Sequence, residues 1–312
     1  MAHLTRYECG IYAVDSGYGR PLLDAIHLIV EDAHVALVDT GTNHSVVLVL
    51  EAFAELGFTP EQVDYVILTH IHLDHAGGAG AFMARFPNAK LVVHPRGARH
   101  MADPRKLVAG TVAVYGEART RRLYGEIVPV PAGRIIEAKQ GLVIRLAGRE
   151  LSFLDTPGHA KHHVCVIDGR SGHIFTGDTF GLAYNELERD GRRFVFPSTT
   201  PVQFDADALH RSVDLVLSHE PDAIYVTHYS QVRDVPRLGD DLHRLIDAHV
   251  QVALREKNAG ACRHERIKEG VRQIVLDEAQ RQGWTLTQRE LMHVFDMDIE
   301  LNAQGLGVWL DS

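Results

Sequence analysis

One ten-residue stretch constrains this chain more than any other: Thr69-His70-Ile71-His72-Leu73-Asp74-His75-Ala76-Gly77-Gly78. It directly follows Tyr65-Val66-Ile67-Leu68, an apolar run of the length and β-branched content expected of a buried strand. Three imidazoles and a carboxylate therefore emerge where a strand ends, the place where ligands collect in open α/β sheets. While the chain stays extended, His70 and His72 point to the same side. Asp74 and His75 arrive as it turns and face a second point nearby. Such a density of nitrogen and oxygen donors is costly to fold around unless something binds them.

The pattern recurs along the chain. In Leu154-Asp155-Thr156-Pro157-Gly158-His159 a strand ends and a Pro-Gly turn presents an imidazole. Ile174-Phe175-Thr176-Gly177-Asp178 ends an apolar strand with a carboxylate, and Ala223-Ile224-Tyr225-Val226-Thr227-His228 ends one with a histidine. The histidines His70, His72, His75, His159 and His228, with Asp74 and Asp178, suit two borderline metal ions that share one bridging carboxylate.

The set HxHxDH, then TPGH, then GD, then a final strand-end histidine resembles the metallo-β-lactamase superfamily in its glyoxalase II-like hydrolase branch, from about residue 10 to about residue 230. The resemblance implies an α/β (α+β, four-layer) αββα sandwich with a dinuclear site along one edge. It implies that His70, His72 and His159 hold a first metal, that Asp74, His75 and His228 hold a second, and that Asp178 bridges them. Asp39, in Asp39-Thr40-Gly41, would stand behind the ligands and orient one imidazole through a hydrogen bond.

The 312 residues are enough for one large domain with an extension. The expected division is a sandwich over residues 1–235 and a helical extension over residues 236–312, packed on the sandwich or on a partner subunit. No apolar run approaches the roughly 18–20 residues of a membrane span, and the first residues lack the basic-then-apolar pattern of a secretory signal. Three widely spaced cysteines, Cys9, Cys165 and Cys262, argue against a disulfide framework. A cytoplasmic enzyme is the expectation. The net charge of −9, with no basic block, argues against a nucleic-acid partner. Histidines beyond the site, among the 20 in all, are expected to be ordinary surface or half-buried residues.

In chain order, Ile26–Val30 and Val35–Asp39 read as strands. Residues 44–56 read as a helix stopped by Gly57, and Thr59-Pro60-Glu61-Gln62 as a capping box opening one short turn. Gly77–Phe86 is expected to be a helix whose glycines approach the metal loop. The arginines Arg96, Arg99, Arg105, Arg119, Arg121 and Arg122 lie in a region that overhangs the site in the family, and they are expected mostly on solvated faces. Hairpins are expected over 142–154 and 164–176, with Cys165 an inert buried thiol and His163 structural. The loop from Phe180 to Pro201 leaves from Asp178 and is expected to border the pocket, with Tyr184 a candidate substrate contact. Beyond residue 235, Leu238–Leu254 and Arg266–Gln280 have helical periodicity, and Trp284-Thr285 opens a further short segment. The ending is too apolar for a loose tail and favours a homodimer as an expectation.

The resemblance implies two divalent ions, Zn²⁺ foremost with Fe or Mn as alternatives. It implies a bridging hydroxide that attacks an ester, lactone, thioester or amide of a small molecule, with Asp74 orienting the nucleophile or taking its proton. A persulfide dioxygenase-like mononuclear iron oxygenase is the alternative, disfavoured by the complete second site. A phosphodiesterase or nuclease ranks lower, since no basic substrate arm is evident.

Overall fold

The computed structural model describes residues 2–312. The chain up to Asp155, together with His162–Gly177 and Ala223–Gln231, forms one compact unit; Thr156–Lys161, Asp178–Asp222 and Val232–Ser312 form a second. The strand-end loops at 156–161 and 178–222 group with the C-terminal helices rather than with the strands that precede them.

The first unit contains both sheets. One has seven strands in chain order: β1 (Leu4–Arg6), β2 (Ile11–Asp15), β3 (Ala25–Glu31), β4 (His34–Val38), β5 (Val63–Ile67), β6 (Lys90–Val93) and β7 (Ile135–Glu137). The pairs from β1 to β4 are antiparallel and those from β4 to β7 parallel. The other sheet has six: β8 (Val143–Leu146), β9 (Arg149–Asp155), β10 (Val164–Asp168), β11 (Ile174–Gly177), β12 (Ile224–Val226) and β13 (Ser230–Val232). Strand β5 is apolar along its second half because it lies inside a parallel sheet covered on both faces. On one side Ile67, Val38, Ile29 and Val92 meet Leu151, Phe153, Val166 and Phe175 of the other sheet. On the opposite side Val35, Leu37, Val66 and Leu68 pack against helical residues including Val49, Phe53, Phe82 and Met101.

Those helices follow the local signals. Helix α1 (Ser45–Leu56) buries Val49, Ala52 and Phe53 along one stripe. It stops at Gly57, which takes the left-handed conformation at φ 77° and donates its N–H to Phe53 O. The capping box at Thr59 opens a single 3₁₀ turn, with Thr59 N–H donating to Gln62 Oε1 at 2.7 Å. The helix expected over 77–86 runs from Ala79 to Arg85 as α3, and a separate short helix, α2 (Leu73–Ala76), precedes it. The break at Gly77-Gly78 lies against the loop after β4. A Cβ on Gly78 would stand 2.7 Å from the carbonyl oxygens of both Thr40 and Thr42, so only glycine permits this approach. Helices α4 (Pro95–Ala102), α5 (Arg105–Tyr115) and α6 (Glu117–Tyr124) complete the unit.

The second unit is built on α7 (Ala206–Leu217), α8 (Val235–Glu256), α9 (Arg263–Gln282) and α10 (Gln288–Leu310). Asp205 caps α7, its Oδ1 accepting from Ala208 N–H at 2.9 Å. The segment expected to be short after Trp284 is a 23-residue helix. Thr287 and Glu290 form a second capping box at its start, with Thr287 N–H donating to Glu290 Oε2 at 2.8 Å. Asn302, nearly fully buried, ties α10 to the loop before α7: it accepts from Thr199 N–H at 2.8 Å and donates to Pro197 O at 3.0 Å. No helix among the described residues is long and apolar enough to cross a membrane.

Candidate metal centre

Strands β4 and β5 are parallel with Val38 opposite Ile67, so both end at the same level. That register places Asp39 beside Thr69. The buried Asp39 carboxylate accepts from Thr69 N–H at 2.8 Å, from Thr69 Oγ1 at 2.9 Å and 3.0 Å, and from Thr227 Oγ1, just past β12, at 2.8 Å. Its Oδ2 also lies 2.8 Å from His75 Nδ1. One side chain thus ties together the ends of three strands. A carboxylate only accepts, so the His75 hydrogen resides on Nδ1 and Nε2 is left as the lone-pair nitrogen. Thr69 Oγ1, already donating to Asp39, stands 3.2 Å from His70 Nδ1 and orients that ring one step further out.

His228 is held in the same way by a residue that the sequence did not single out. Its Nδ1 lies 2.7 Å from Oδ1 of Asp24, at the start of β3. Burial pushes the Asp24 carboxyl up to about 6, against the opposing pull of the His228 ring. The Nε2 atoms of His75 and His228 each stand 3.8 Å from Asp74 Oδ2, on the half-exposed first turn of α2. Asp74, His75 and His228 each offer one ligand atom, and these atoms all lie within 4.8 Å of one another. Two imidazole nitrogens and a carboxylate oxygen, both rings pre-aimed by carboxylates, fit a borderline divalent metal ion. The rings of His72 and His75 lie 4.5 Å and 4.0 Å from that of His70, so the whole HxHxDH set converges. His163 stacks 5.0 Å from His70, and His162 lies 5.7 Å from His72.

The remaining two predicted donors belong to the second unit and meet there. His159 Nε2 lies 3.5 Å from Asp178 Oδ2, both side chains buried. His159 Nδ1 stands 3.1 Å from the carbonyl of Ser198. The preceding Gly158 has φ +138°, and a Cβ there would be 2.3 Å from Leu209 Cα of α7. Ser212 Oγ of the same helix donates to Pro157 O at 2.6 Å. Helix α7 is thus the seat of the turn that presents His159.

Other expectations are placed differently. Tyr184 is a buried anchor of the helical unit: its hydroxyl donates to Asp298 of α10 at 3.1 Å and its ring packs 5.9 Å from Phe295. Its candidate role as a substrate contact gains no geometric support from this placement. The arginines of the 96–130 region are exposed, with Arg105 paired to Asp103 at 2.5 Å and Arg119 over the Tyr115 ring. Sequence reading passed over Tyr18, whose hydroxyl lies 3.0 Å from that of Tyr124 with the two rings stacked. Burial raises both phenols well above their ordinary range, and the Asp74 charge adds to it, so both stay protonated. The one local trace of Asp24 is an acid set between Leu23 and the buried strand that opens at Ala25; Tyr18 has none, because its partner is more than a hundred residues away.

Comparison with known proteins accords with this geometry. The metallo-β-lactamase fold-containing protein of Sulfurisphaera tokodaii is 24% identical over 214 residues, 66% of this chain and 74% of its own length. The hydroxyacylglutathione hydrolase of Xanthomonas campestris pv. campestris is 27% identical over 180 residues, 57% of this chain and 52% of that enzyme. A metallo-β-lactamase family protein from Thermus thermophilus superposes with a TM-score of 0.67 at 21% identity, covering 97% of this chain and 93% of that one, which shows a shared αββα fold with C-terminal helices. The model of the metallo-β-lactamase superfamily matches residues 20–228, well over half of the chain. With its strand-end histidines and aspartates in the order that model spans, the chain belongs to the metallo-β-lactamase superfamily.

Proposed function

We propose that the protein is a dinuclear metallo-hydrolase acting on an ester, lactone, thioester or amide of a small molecule. The observation that carries this reading is the Asp74, His75 and His228 triad, with each imidazole aimed by its own buried carboxylate, Asp39 or Asp24. In this reading His70, His72 and His159 would hold one ion, Asp74, His75 and His228 would hold the other, and Asp178 would be shared between them. Zn²⁺ suits the nitrogen-rich donors, with Fe or Mn as substitutes. When bound, such ions supply Lewis acidity and a hydroxide nucleophile at neutral pH.

The protein's own groups do the rest. Asp74 would offer one oxygen as a ligand and keep its other oxygen to take a proton from an attacking water. Asp39 and Asp24 keep the Nε2 lone pairs of His75 and His228 on the metal side. The Tyr18–Tyr124 hydroxyl pair offers a neutral donor that strengthens as negative charge develops on the substrate. On this reading the protein acts on a small molecule, with no nucleic-acid or membrane partner, as a cytoplasmic enzyme.

The test is elemental analysis of protein purified without added metal or chelator, followed by a panel of esters, lactones, thioesters and phosphodiesters. Two equivalents of metal with turnover of a carbonyl substrate support the reading. One equivalent of iron with oxygen consumption on a thiol substrate would overturn it. His72→Ala should abolish turnover while leaving the circular dichroism spectrum unchanged.

A further inference from the structure

The corner between α4 and α5 carries positive charge that the metal centre does not use. Helix α4 buries Gly97, Ala98 and Met101 and stops at Asp103, whose N–H donates to Arg99 O at 2.9 Å. Pro104 cannot continue the ladder, and α5 starts afresh at Arg105. The corner borders a cleft of about 560 Å³ lined by Arg99, His100, Asp103, Arg105 and Lys106. That volume lies within the range of small-ligand sites.

Charge and hydrogen counting decide what this cleft can take. Its one carboxylate is occupied: Asp103 accepts from Arg105 Nε at 2.8 Å, from Arg105 Nη2 at 2.5 Å and from Arg105 N–H at 3.3 Å. The Arg105 hydrogen bonds hold that carboxyl down to about 2, so Asp103 and Arg105 neutralise each other. Among the described residues Arg99 and Lys106 have no carboxylate partner, in a chain whose net charge is −9. Arg99 Nε donates instead to His100 Nε2 at 3.3 Å. A guanidinium keeps its hydrogens, so that nitrogen must accept and the ring hydrogen sits on Nδ1. Burial, and then the Arg99 and Lys106 charges, oppose protonation of His100. Arg99, His100 and Lys106 therefore offer donors only, with two positive charges left unbalanced.

We propose that this cleft binds a small phosphate monoester through Arg99 and Lys106. The planar fork of an arginine matches two phosphate oxygens at once, and a lysine adds a compact point charge. A phosphate monoester carries close to two negative charges at neutral pH, which cancels the excess; a single carboxylate leaves half of it standing. His100 Nδ1–H is available as a further donor. The location links the ligand to the fold of the centre. A Cβ on Gly97 of α4 would stand 2.8 Å from Ile71 Cγ2, so α4 lies directly against the residue between His70 and His72. A ligand that ties α4 to α5 braces the helix behind that loop. The cleft is separate from the proposed catalytic centre and does not depend on the hydrolase reading.

The experiment follows the His100 ring by proton NMR while phenyl phosphate is added to the full-length protein at neutral pH and low salt. The resonance is assigned by its loss in His100→Gln. Phenyl phosphate should shift it saturably, and in the saturated protein His100 should titrate at a higher pH, because a bound dianion offsets the two cations. Arg99→Gln and Lys106→Gln, both exposed positions, should each weaken the affinity read from this shift about 3- to 10-fold. Asp103→Asn, which removes the one negative charge, should strengthen it. Arg122→Gln removes an equal charge from α6 outside the cleft and should bind as wild type does, as should His72→Ala, which disables the metal centre. An unmoved His100 resonance would overturn the proposal. So would equal weakening by Arg122→Gln, which would mean a diffuse surface field, or benzoate binding as tightly as phenyl phosphate.

Discussion

Replacing Asp39 by asparagine preserves shape and exchanges one acceptor oxygen for an amide donor. In the structure Asp39 Oδ1 serves Thr69 N–H and Oδ2 serves His75 Nδ1 and Thr227 Oγ1. Asparagine can keep the Thr69 contact by leaving its oxygen there. Its amide nitrogen then confronts His75 Nδ1, and the ring must accept at that atom and move its hydrogen to Nε2, the nitrogen that faces Asp74. A protonated Nε2 cannot ligate. Loss of an orienting partner of this type weakens metal binding about 10- to 100-fold, or about 1.4–2.7 kcal/mol. The fold suffers separately: losing a hydrogen bond to a buried charge costs about 1.5–3 kcal/mol, which for 312 residues corresponds to a melting temperature lowered by about 2–5 °C. The assay is a Zn²⁺ titration of apo protein against a chelator of known affinity, paired with thermal melts of the apo form. The expected result is one weakened equivalent and one near wild type. If Asp39→Asn lowered the melting temperature yet bound both equivalents with wild-type affinity, Asp39 would only brace the strand ends and the orienting role would be wrong.

The buried ion pair of Arg149 and Asp168, bidentate at 2.6 Å and 2.5 Å, should respond asymmetrically. Arg149→Met strands a buried carboxylate and should cost about 3–5 kcal/mol, while Arg149→Met with Asp168→Leu should recover most of it in urea melts; equal losses in both would refute this. His249, fully buried with its Nδ1 2.7 Å from Leu245 O, is held by burial down to about 4. The unfolded chain binds that proton near 6.5, so stability should fall by about 3 kcal/mol as pH drops from about 6.5 to about 4. His249→Leu should flatten that acid limb, and an unchanged limb would count against it. Asp178→Ala should lower metal stoichiometry at both ions of the proposed centre, and full retention of two equivalents would remove its bridging role.

The candidate donors could be named from the chain because their signals are local. An apolar run ending in a polar donor declares both a strand and what the strand delivers, so His70, His72, Asp74, His75, His159, Asp178 and His228 could be named from their own neighbourhoods. The same holds for α1 and its Gly57 stop, for the Thr59 turn and for both hairpins. Even Asp39 followed from position, since parallel strands that end together must set their next residues side by side. The 23-residue length of α10 was missed although its capping box was written in Thr287 and Glu290, because the residues after it mix apolar and charged types without a clean stripe.

Tertiary structure decided everything that depends on who stands opposite. Asp24, Tyr18 and Arg149 look like loop or turn residues in sequence, and their burial comes from His228, Tyr124 and Asp168, which lie far along the chain. Tyr184 went the other way: a loop leaving from a candidate ligand suggested a pocket, but Asp298 on a helix more than a hundred residues later claims its hydroxyl. His210 and His243 were two of many spare histidines until two helices set their Nδ1 atoms 2.6 Å apart. The physical reason is common to all of them. Backbone preference and hydrophobic period are properties of a few adjacent residues, whereas the protonation, partner and burial of a polar side chain are set by groups that only the folded chain brings within hydrogen-bonding range.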